Sequence, residues 1–461
     1  MSSKSNINRR QFLSNAALIG AAGTVGGGSL LSSCGGDGAS NAKASKHPPI
    51  ERLKSWRIPV LTDKAVDGKE LKVGLVGCGG QGRGDLINLT RAANGIKITA
   101  LGDVFQDKID AAREVILKET GQEVSSDNCF VGFDAYQKVI DSGVDIVLLI
   151  TPPVFRPQHF EAAVKAGKHV FMEKPISVDV AGSLKMIATS RIASGQNLCV
   201  VTGTQRRHQR SYVEAYKQIA DGAIGEITSG NVYWNQNMLW YRNREQSWND
   251  MEWMIRDWVN WCWLSGDHIV EQHVHNIDVF NWFSGLTPAA GTGFGARHRR
   301  ITGDQYDMFS VDFEYENGVH LHSMCRQIDG CTSNISEFVQ GTHGSWAGSW
   351  DYSEIKDLSG AVVWKWDFEK EKAEFAQTDP YVLQFVDMVT AIRENKSFNE
   401  AEGTAISSLI AVMGRESAYT GKRITWDEIK AMNMNLLPDD LQMGTVDMSP
   451  YKTPVPGSGK S

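Results

Sequence analysis

The chain has 461 residues, of which 41% are hydrophobic and 22% are charged. This length and composition are typical of a soluble globular protein with two domains. The formal net charge of -7 argues against a nucleic acid as partner, because phosphate binding requires a basic surface. The six cysteines that follow Cys34 form no C-x-x-C pair, which disfavours zinc-ribbon and thioredoxin chemistry.

The first 34 residues resemble a bacterial export signal. Arg9 and Arg10 stand before a modest Ala- and Gly-rich run that is too short to cross a membrane. Leu31, Ser32 and Ser33 then precede Cys34, in the order of a lipoprotein cleavage site. The pattern predicts twin-arginine export to the periplasm or outer membrane, with the mature chain held at the membrane by a lipidated Cys34. A polar tether and an N-terminal arm are expected over residues 35–69.

A glycine-rich turn, KVGLVGCGGQGRG, follows the first strongly apolar segment after the tether. Its G-x-G-x-x-G order lets backbone N–H groups and a helix N-terminus approach a pyrophosphate. A second apolar strand ends in an acid roughly 20 residues further on, where a carboxylate accepts hydrogen bonds from an adenosine ribose and would repel a 2'-phosphate. The pattern therefore predicts NAD rather than NADP as cofactor. The predicted cofactor residues of this unit are Gly77, Gly79, Gly80, Gln81, Gly82 and Asp103.

Strand and helix patterns alternate from residue 70 to residue 203. The apolar run VDIVLLI ends at Thr151 and Pro152, and the run HVFM ends at Glu173 and Lys174. Alternation of this kind predicts an α/β fold with a doubly wound parallel sheet, whose ligands lie at the carboxyl ends of the strands. We therefore expect an NAD-binding Rossmann domain in which these four residues lie beside the cofactor.

Five motifs together resemble the Gfo/Idh/MocA family, which includes glucose-fructose oxidoreductase and inositol dehydrogenase. They are the glycine turn with Asp103, the TPP segment from Thr151, the tripeptide Glu173-Lys174-Pro175, the segment Gly225-Glu226-Ile227 and the run GDHIVEQHVHNID from Gly266 to Asp278. The resemblance covers about residues 70 to 430. It implies a second domain built on an open, mostly antiparallel sheet, whose free face commonly mediates homo-oligomerisation. It also implies hydride transfer between a nicotinamide and a sugar, cyclitol or related polyol.

A substrate and oligomerisation domain is therefore expected over residues 204–430, followed by a C-terminal tail over residues 431–461. The segment FSVDFEYENGVHLHSM alternates apolar and polar residues around Asn317-Gly318, which is a strong hairpin signal. Helices near residues 381–394 and 404–419 are expected to close this domain.

The predicted catalytic residues lie in the EKP segment and on a helix formed by the GDHIVEQHVHNID run. In a continuous helix, His268, Glu271, His275 and Asp278 share one face. A polar stripe of this density is costly unless it lines a cleft. The resemblance places an acid and a histidine four residues later at Glu271 and His275, and a lysine at Lys174. The family more often has Asp where this chain has Glu271.

Oxidation of a secondary alcohol requires a base that takes the hydroxyl proton as hydride leaves for the nicotinamide. His275 is the predicted base, because its ordinary pKa suits proton transfer near neutrality. Lys174 is expected to stabilise the developing alkoxide and to position the nicotinamide, and Glu271 to orient His275 or to bind a second hydroxyl. A metal site at His273 and His275 is the alternative, but the H-E-x-x-H order and a clear third ligand are missing. No metal is predicted.

Aromatic residues mark the expected sugar cleft. Seven of the 14 tryptophans lie between residues 234 and 263, and indole faces pack well on the C–H faces of sugar rings. Structural packing or an oligomer contact is the alternative for each of them. A basic segment after the last strand of the first domain is where the family joins its two domains. The predicted substrate-binding residues are Arg207, His268, Asp278 and Trp261.

Three functions remain open from the sequence. The leading one is an NAD-dependent oxidoreductase acting on a ring hydroxyl of a sugar, glycoside or cyclitol, with oxidation of a glycoside at C3 as a subtype. The second is a redox-neutral, NAD-dependent glycosidase similar to the alpha-N-acetylgalactosaminidase branch of the family. The third is a non-catalytic sugar-binding lipoprotein. Because twin-arginine export carries folded proteins, the cofactor is expected to be loaded before export and to remain bound.

Overall fold

The computed structural model describes residues 57–458. The predicted export signal, Cys34 and the first part of the tether lie outside the described residues. Within the described range, no helix is both long and apolar enough to span a bilayer.

The first domain is a six-stranded sheet in the order β3-β2-β1-β4-β5-β6, with every neighbouring pair parallel. Its strands are β1 (Leu71–Val76), β2 (Ile96–Asp103), β3 (Cys129–Val131), β4 (Ile146–Leu149), β5 (His169–Met172) and β6 (Val200–Thr202). Its helices are α1 (Gly80–Ala92), α2 (Gln106–Thr120), α3 (Ala135–Asp141), α4 (Arg156–Lys165) and α5 (Val180–Gly195). The central strands β1 and β4 are apolar and almost wholly buried, as expected where helices cover both faces of a parallel sheet. The predicted Rossmann architecture is confirmed.

The second domain is a nine-stranded sheet in the order β14-β13-β12-β11-β7-β10-β9-β8-β15. Its strands are β7 (Ile227–Gln236), β8 (Ala290–Ala296), β9 (Met308–Glu314), β10 (His320–Gln327), β11 (Asn334–Gly341), β12 (Gly344–Gly348), β13 (Ser353–Asp357), β14 (Val362–Lys365) and β15 (Ile424–Thr425). Only the pairing of β7 with β10 is parallel among the described strands of this sheet. The mostly antiparallel sheet is therefore confirmed, and so is the hairpin between β9 and β10, in which Gly318 has a φ of +82°.

Nine α-helices of the described range follow β6 in the chain. They are α6 (Arg210–Ala220), α7 (Asp250–Arg256), α8 (Cys262–Ser265), α9 (His268–Glu271), α10 (Val274–Ser284), α11 (Phe368–Glu374), α12 (Pro380–Arg393), α13 (Ala401–Thr420) and α14 (Trp426–Ala431). Helix α10 lies against β7 at Gly230, where a Cβ atom would stand 2.3 Å from the Phe280 ring. This close approach brings the start of α10, and the residues just before it, to the cleft between the domains.

Helix α12 packs on the first domain, whereas the sequence pattern assigned it to the second. Val382 and Phe385 belong to the same apolar core as β1, and the rings of Phe385 and Phe171 are 4.4 Å apart. The N-terminal arm meets the same helix, because Arg57 donates two hydrogen bonds of 2.6 Å to the Asp387 carboxylate. Apolar periodicity predicts a helix but does not identify the surface that receives it.

The helix predicted over the GDHIVEQHVHNID run is broken into α9 and α10. The backbone N–H of His273 donates to the carbonyl of His268, five residues back, at 3.1 Å. This wider turn interrupts the repeat of 3.6 residues that would have kept four polar side chains on one face. The predicted continuous helix with one shared face is wrong. Glu271 and His275, on either side of the break, line the cleft, whereas His268 and Asp278 do not.

Candidate active site

A cavity of about 1280 Å³ runs along the carboxyl edge of the first sheet. Residues that follow β1, β2, β4 and β5 line one wall, and residues of the second domain and of the C-terminal tail line the others. The predicted cofactor residues Gly77, Gly79, Gly80, Gln81, Gly82, Asp103, Thr151, Pro152, Glu173 and Lys174 all line this cavity.

The glycine turn forms a wall of bare backbone. A Cβ atom on Gly82 would lie 2.0 Å from the carbonyl oxygen of Gly77, and one on Gly77 would lie 2.6 Å from the Ile150 carbonyl carbon. At Gly79 and Gly80, by contrast, a Cβ would meet nothing within 4 Å. Two glycines therefore allow the turn to close, and two leave open space at the N-terminus of α1, where a pyrophosphate fits.

Asp103 is held rigidly at the end of β2. Its Oδ2 atom accepts a hydrogen bond of 2.7 Å from the N–H of Cys78, and its Oδ1 atom accepts one of 3.0 Å from Phe105. Burial raises the pKa of this carboxyl group. Each carboxylate oxygen keeps a further lone pair, so the side chain suits the hydroxyls of an adenosine ribose. The turn and this acid together fit a dinucleotide.

The backbone of the EKP segment is held by hydrogen bonds from Arg156, a residue that the sequence did not predict. Arg156, which is buried at the start of α4, donates to the carbonyl of Glu173 at 2.7 Å and to that of Pro175 at 2.5 Å. Burial lowers the pKa of Arg156 to about 10, so the guanidinium stays charged at neutral pH. Two backbone contacts from one rigid guanidinium therefore set the path of the chain around Lys174.

Lys174 and Glu271 meet across the domain boundary. The Lys174 ammonium donates to the backbone carbonyl of Glu271 at 2.6 Å and to its Oε1 atom at 3.1 Å. The other carboxylate oxygen of Glu271 accepts a hydrogen bond of 2.6 Å from the side-chain amide of Gln272. Both ends of the ion pair are largely buried, with side-chain exposures of 10% for Lys174 and 7% for Glu271. The amine is thus held at the cavity wall with a donor position left for a ligand.

His275 lines the same cavity and stacks on the indole of Trp234, with ring centroids 5.2 Å apart and planes 17° from parallel. Burial, followed by the positive charges of Lys174 and Arg206, holds the pKa of His275 well below its usual value. The imidazole is therefore neutral at neutral pH and able to accept a proton. The Arg206 guanidinium lies on Trp234, 5.4 Å from the ring centroid, and pairs with Glu337 at 3.1 Å.

The comparisons with known proteins agree with this architecture in both domains. Residues 71–202 match the family profile described as "Oxidoreductase family, NAD-binding Rossmann fold", and residues 212–347 match the "GFO/IDH/MocA C-terminal domain". The chain belongs to the Gfo/Idh/MocA oxidoreductase family. Its cofactor is NAD, as the glycine turn and Asp103 predicted.

Relatives of this family member include proteins of two kinds. An inositol 2-dehydrogenase/D-chiro-inositol 3-dehydrogenase of Halalkalibacterium halodurans is 33% identical over 243 residues, which is 53% of this chain and 56% of the relative. The chain therefore spans little more than half the length of that dehydrogenase. An alpha-N-acetylgalactosaminidase of Shewanella oneidensis is 24% identical over 80% of this chain and 79% of the relative.

The fold of this family member is shared with a solved structure. The scyllo-inositol dehydrogenase from Lactobacillus casei, crystallised with NAD(H) and scyllo-inositol, superposes with a TM-score of 0.58 at 20% identity. The match covers 77% of this chain and 99% of the other. At 20% sequence identity, this similarity supports a shared fold and nothing more specific.

Two of the four predicted substrate-binding residues form a buried ion pair instead. Arg207 donates to Asp278 at 2.8 and 2.9 Å, and Ser407 donates to the same carboxylate at 2.8 Å. Neither Arg207 nor Asp278 lines the cavity. The structure therefore does not bring these two predicted substrate-binding residues to the cavity, because their charged groups pair with each other and Asp278 also accepts a hydrogen bond from Ser407 of α13.

The other two also lie behind the cavity wall. His268 faces Asp267, with its Nδ1 atom 3.1 Å from the Asp267 Oδ1 atom. Trp261 is 3% exposed and packs edge-on against Trp253 and Tyr451. Neither His268 nor Trp261 lines the cavity, so the alternative of structural packing holds for this tryptophan.

The two histidines considered as metal ligands have different surroundings. The Nε2 atom of His273 lies 2.7 Å from the Ser323 hydroxyl, whereas His275 faces the cavity. Among residues 57–458, no group of three or more His, Cys, Asp or Glu side chains is arranged to hold a metal ion.

Sequence reasoning also missed several residues of the cavity wall. Gln272 had a usable signal, because it stands next to Glu271, but the others come from elements far apart in the chain. The missed residues include Tyr136, Arg156, His159, Arg256, Gln272, Tyr381, Leu437 and Leu441.

Proposed function

We propose that this family member is an NAD-dependent dehydrogenase that oxidises a ring hydroxyl of a sugar, glycoside or cyclitol. The observation that carries the proposal is that Lys174 and His275 line the same cavity as the glycine turn. A buried ammonium beside a neutral imidazole suits the removal of a proton from an alcohol while hydride departs. The inositol dehydrogenase relative supports the substrate class.

Each side chain has a defined part in this reaction. The glycine turn and Asp103 would hold NAD, which supplies the hydride acceptor when bound. His275 accepts the hydroxyl proton, and Lys174 donates a hydrogen bond to the same oxygen and stabilises the negative charge that develops there. Glu271 keeps the ammonium in place, and Gln272 keeps Glu271 in place.

The proposal is tested by adding sugars, glycosides and cyclitols to the purified protein and following reduced nicotinamide by its absorbance. Lys174→Ala and His275→Ala should each lower the rate by about a hundredfold or more, because each removes a group that acts on the moving proton or charge. Lys165→Ala and His322→Ala, at positions outside the cavity, are the matched controls. A parent protein that binds nucleotide but reduces none with any of these compounds would overturn the assignment.

A redox-neutral glycosidase is the second candidate. The galactosaminidase relative favours it, because that match extends over 80% of this chain, compared with 53% for the inositol dehydrogenase. In such a reaction, transient oxidation at C3 acidifies the neighbouring C–H bond and allows the aglycone to leave. Aryl glycosides discriminate the two candidates: a hydrolase releases the phenol with no net reduced nicotinamide, whereas a dehydrogenase accumulates it. A protein that binds sugar but does neither is the non-catalytic alternative.

Location at the bacterial surface belongs to the same proposal. The support is the order of Arg9-Arg10, the apolar run and Cys34 in the sequence. A cofactor loaded before export must be returned to its starting state within the protein, either by a second substrate or by a redox-neutral cycle. Cell fractionation tests this location: the parent should be found with membranes, and Cys34→Ser should be released from them.

A further inference from the structure

We propose that the C-terminal tail and helix α7 complete the adenosine half of the cofactor site, and that the tail must lift for NAD to enter or leave. This inference rests on the proposed function, in which the bound NAD accepts hydride. Both segments lie outside the residues matched by the NAD-binding family profile, which ends at residue 202. They line the same cavity as Asp103, the residue that marks the adenosine ribose.

Helix α7 reaches the adenosine end through Arg256. This guanidinium lies 3.8 Å from the centroid of the Phe105 ring, two residues beyond Asp103. It donates to Asp107 at 3.0 and 3.3 Å and to Glu252 on its own helix at 2.9 Å. The second domain is thereby attached to the N-terminus of α2, beside the position expected for the ribose.

The tail crosses the cavity between two anchored points. Before the crossing, the N–H of Leu436 donates to Asp179 of the first domain at 2.6 Å. After it, the N–H of Val446 donates to Asp250 at the start of α7 at 3.1 Å. The residues between these anchors that line the cavity are Leu437, Pro438, Asp439, Asp440 and Leu441. The tail therefore bridges the two domains across the cleft.

Apolar contacts hold the crossing segment down. Leu437 and Leu441 are partly buried against a cluster that includes Phe105, Phe155 and Ile255. Residues 437–443 form neither helix nor strand, whereas the opposite wall is built from β1, β2 and the start of α1. The tail can therefore move without disrupting a sheet or a helix, and so can the loop of residues 237–249, which carries the lining residues Leu239, Trp240 and Arg242.

The test measures release of the cofactor, which does not depend on turnover. The parent is loaded with NADH, excess NAD⁺ is added, and the loss of bound NADH fluorescence gives the release rate. The double variant Leu437→Ser/Leu441→Ser should release NADH about tenfold faster or more, because burial of two leucine side chains no longer holds the tail. Val455→Ser, at a tail position that is 64% exposed, is the matched control and should release NADH at the parent rate.

Two further measurements test the same proposal if the double variant folds poorly. Arg256→Gln, in helix α7, should also accelerate the release of NADH. It removes the ion pair with Asp107 that attaches the second domain to α2 beside the expected ribose position. In the parent, amide hydrogen exchange over residues 437–443 should slow when NAD⁺ is added. A folded double variant with the parent's release rate, or exchange that NAD⁺ leaves unchanged, would overturn the proposal. A parent that takes up neither NAD⁺ nor NADH would instead refute the proposed function.

Discussion

The two walls of the cleft differ in composition, since one is formed mainly by backbone and the other by side chains. The cofactor wall is mainly backbone: the glycine turn, the ends of β1 and β4, and one acid held by N–H groups. The wall with Lys174, Glu271 and His275 consists of side chains that hold one another through ion pairs and ring stacking. The first wall should therefore tolerate no added carbon atom at Gly77 or Gly82. The second wall should tolerate changes in shape but not the loss of a partner.

The largest effect is expected behind the side-chain wall, at Arg207. Arg207→Leu leaves the buried Asp278 carboxylate without its partner and should lower the free energy of unfolding by about 3–5 kcal/mol. Arg191→Leu removes an exposed ion pair with Glu402 and should cost less than about 1 kcal/mol. Denaturant unfolding measures both. Equal losses would mean that Arg207 and Asp278 do not support the wall.

The backbone wall is tested next, at Gly82. Gly82→Ala places a Cβ atom against the Gly77 carbonyl and should weaken NAD binding by about a hundredfold, or ~2.7 kcal/mol. Gly84→Ala, in the same helix but with open space around the new atom, should bind NAD like the parent. Titration calorimetry compares the two. Unchanged affinity in the Gly82 variant would show that the turn can relax.

A smaller effect is expected at Glu271. Glu271→Gln keeps the shape of the side chain but removes the charge that holds the Lys174 ammonium, so kcat should fall by about tenfold. NAD affinity should stay within about twofold of the parent, because the carboxylate belongs to the opposite wall. Glu402→Gln, on the surface, is the control. A loss of NAD affinity with kcat intact would reverse the assignment of the two walls.

The smallest effect concerns pH. Because burial lowers the pKa of His275, the imidazole stays neutral as the pH falls through 6.5, and kcat/KM should decline only below that value. Trp234→Leu admits water to the ring, which favours its charged form, so the acid limb should move upward by less than about one pH unit. Trp350→Leu, at a half-exposed position, should leave the profile in place. A downward movement would contradict the shielding role of Trp234.

The same contrast explains what could be predicted from the sequence. Gly77, Gly82 and Asp103 were found because a turn and the strands beside it are encoded by neighbouring residues. Lys174 and His275 needed a family resemblance, since they lie on separate domains. Arg156 and Leu437 carry no local signal, because their positions depend on which distant elements pack together.

The errors have a physical cause as well. An ideal helical repeat placed His268 and Asp278 on the same face as Glu271 and His275. The helix is broken at Gln272 and His273, and only the residues closest to the break, Glu271 and His275, line the cavity. A wide turn of this kind depends on tertiary packing, which local spacing does not report. Trp261 illustrates the same limit, because a buried indole and a ligand-stacking indole look alike in a sequence.

Helix α12 has a consequence for biosynthesis. It supplies Val382 and Phe385 to the core around β1, so the nucleotide-binding half of the molecule lacks part of its interior until the ribosome has translated almost four hundred codons. A fragment of the chain that stops after β6 lacks α12, and the Phe171 ring then loses its contact with Phe385. The coenzyme therefore meets a finished binding surface only late in synthesis, after most of the second sheet has already emerged.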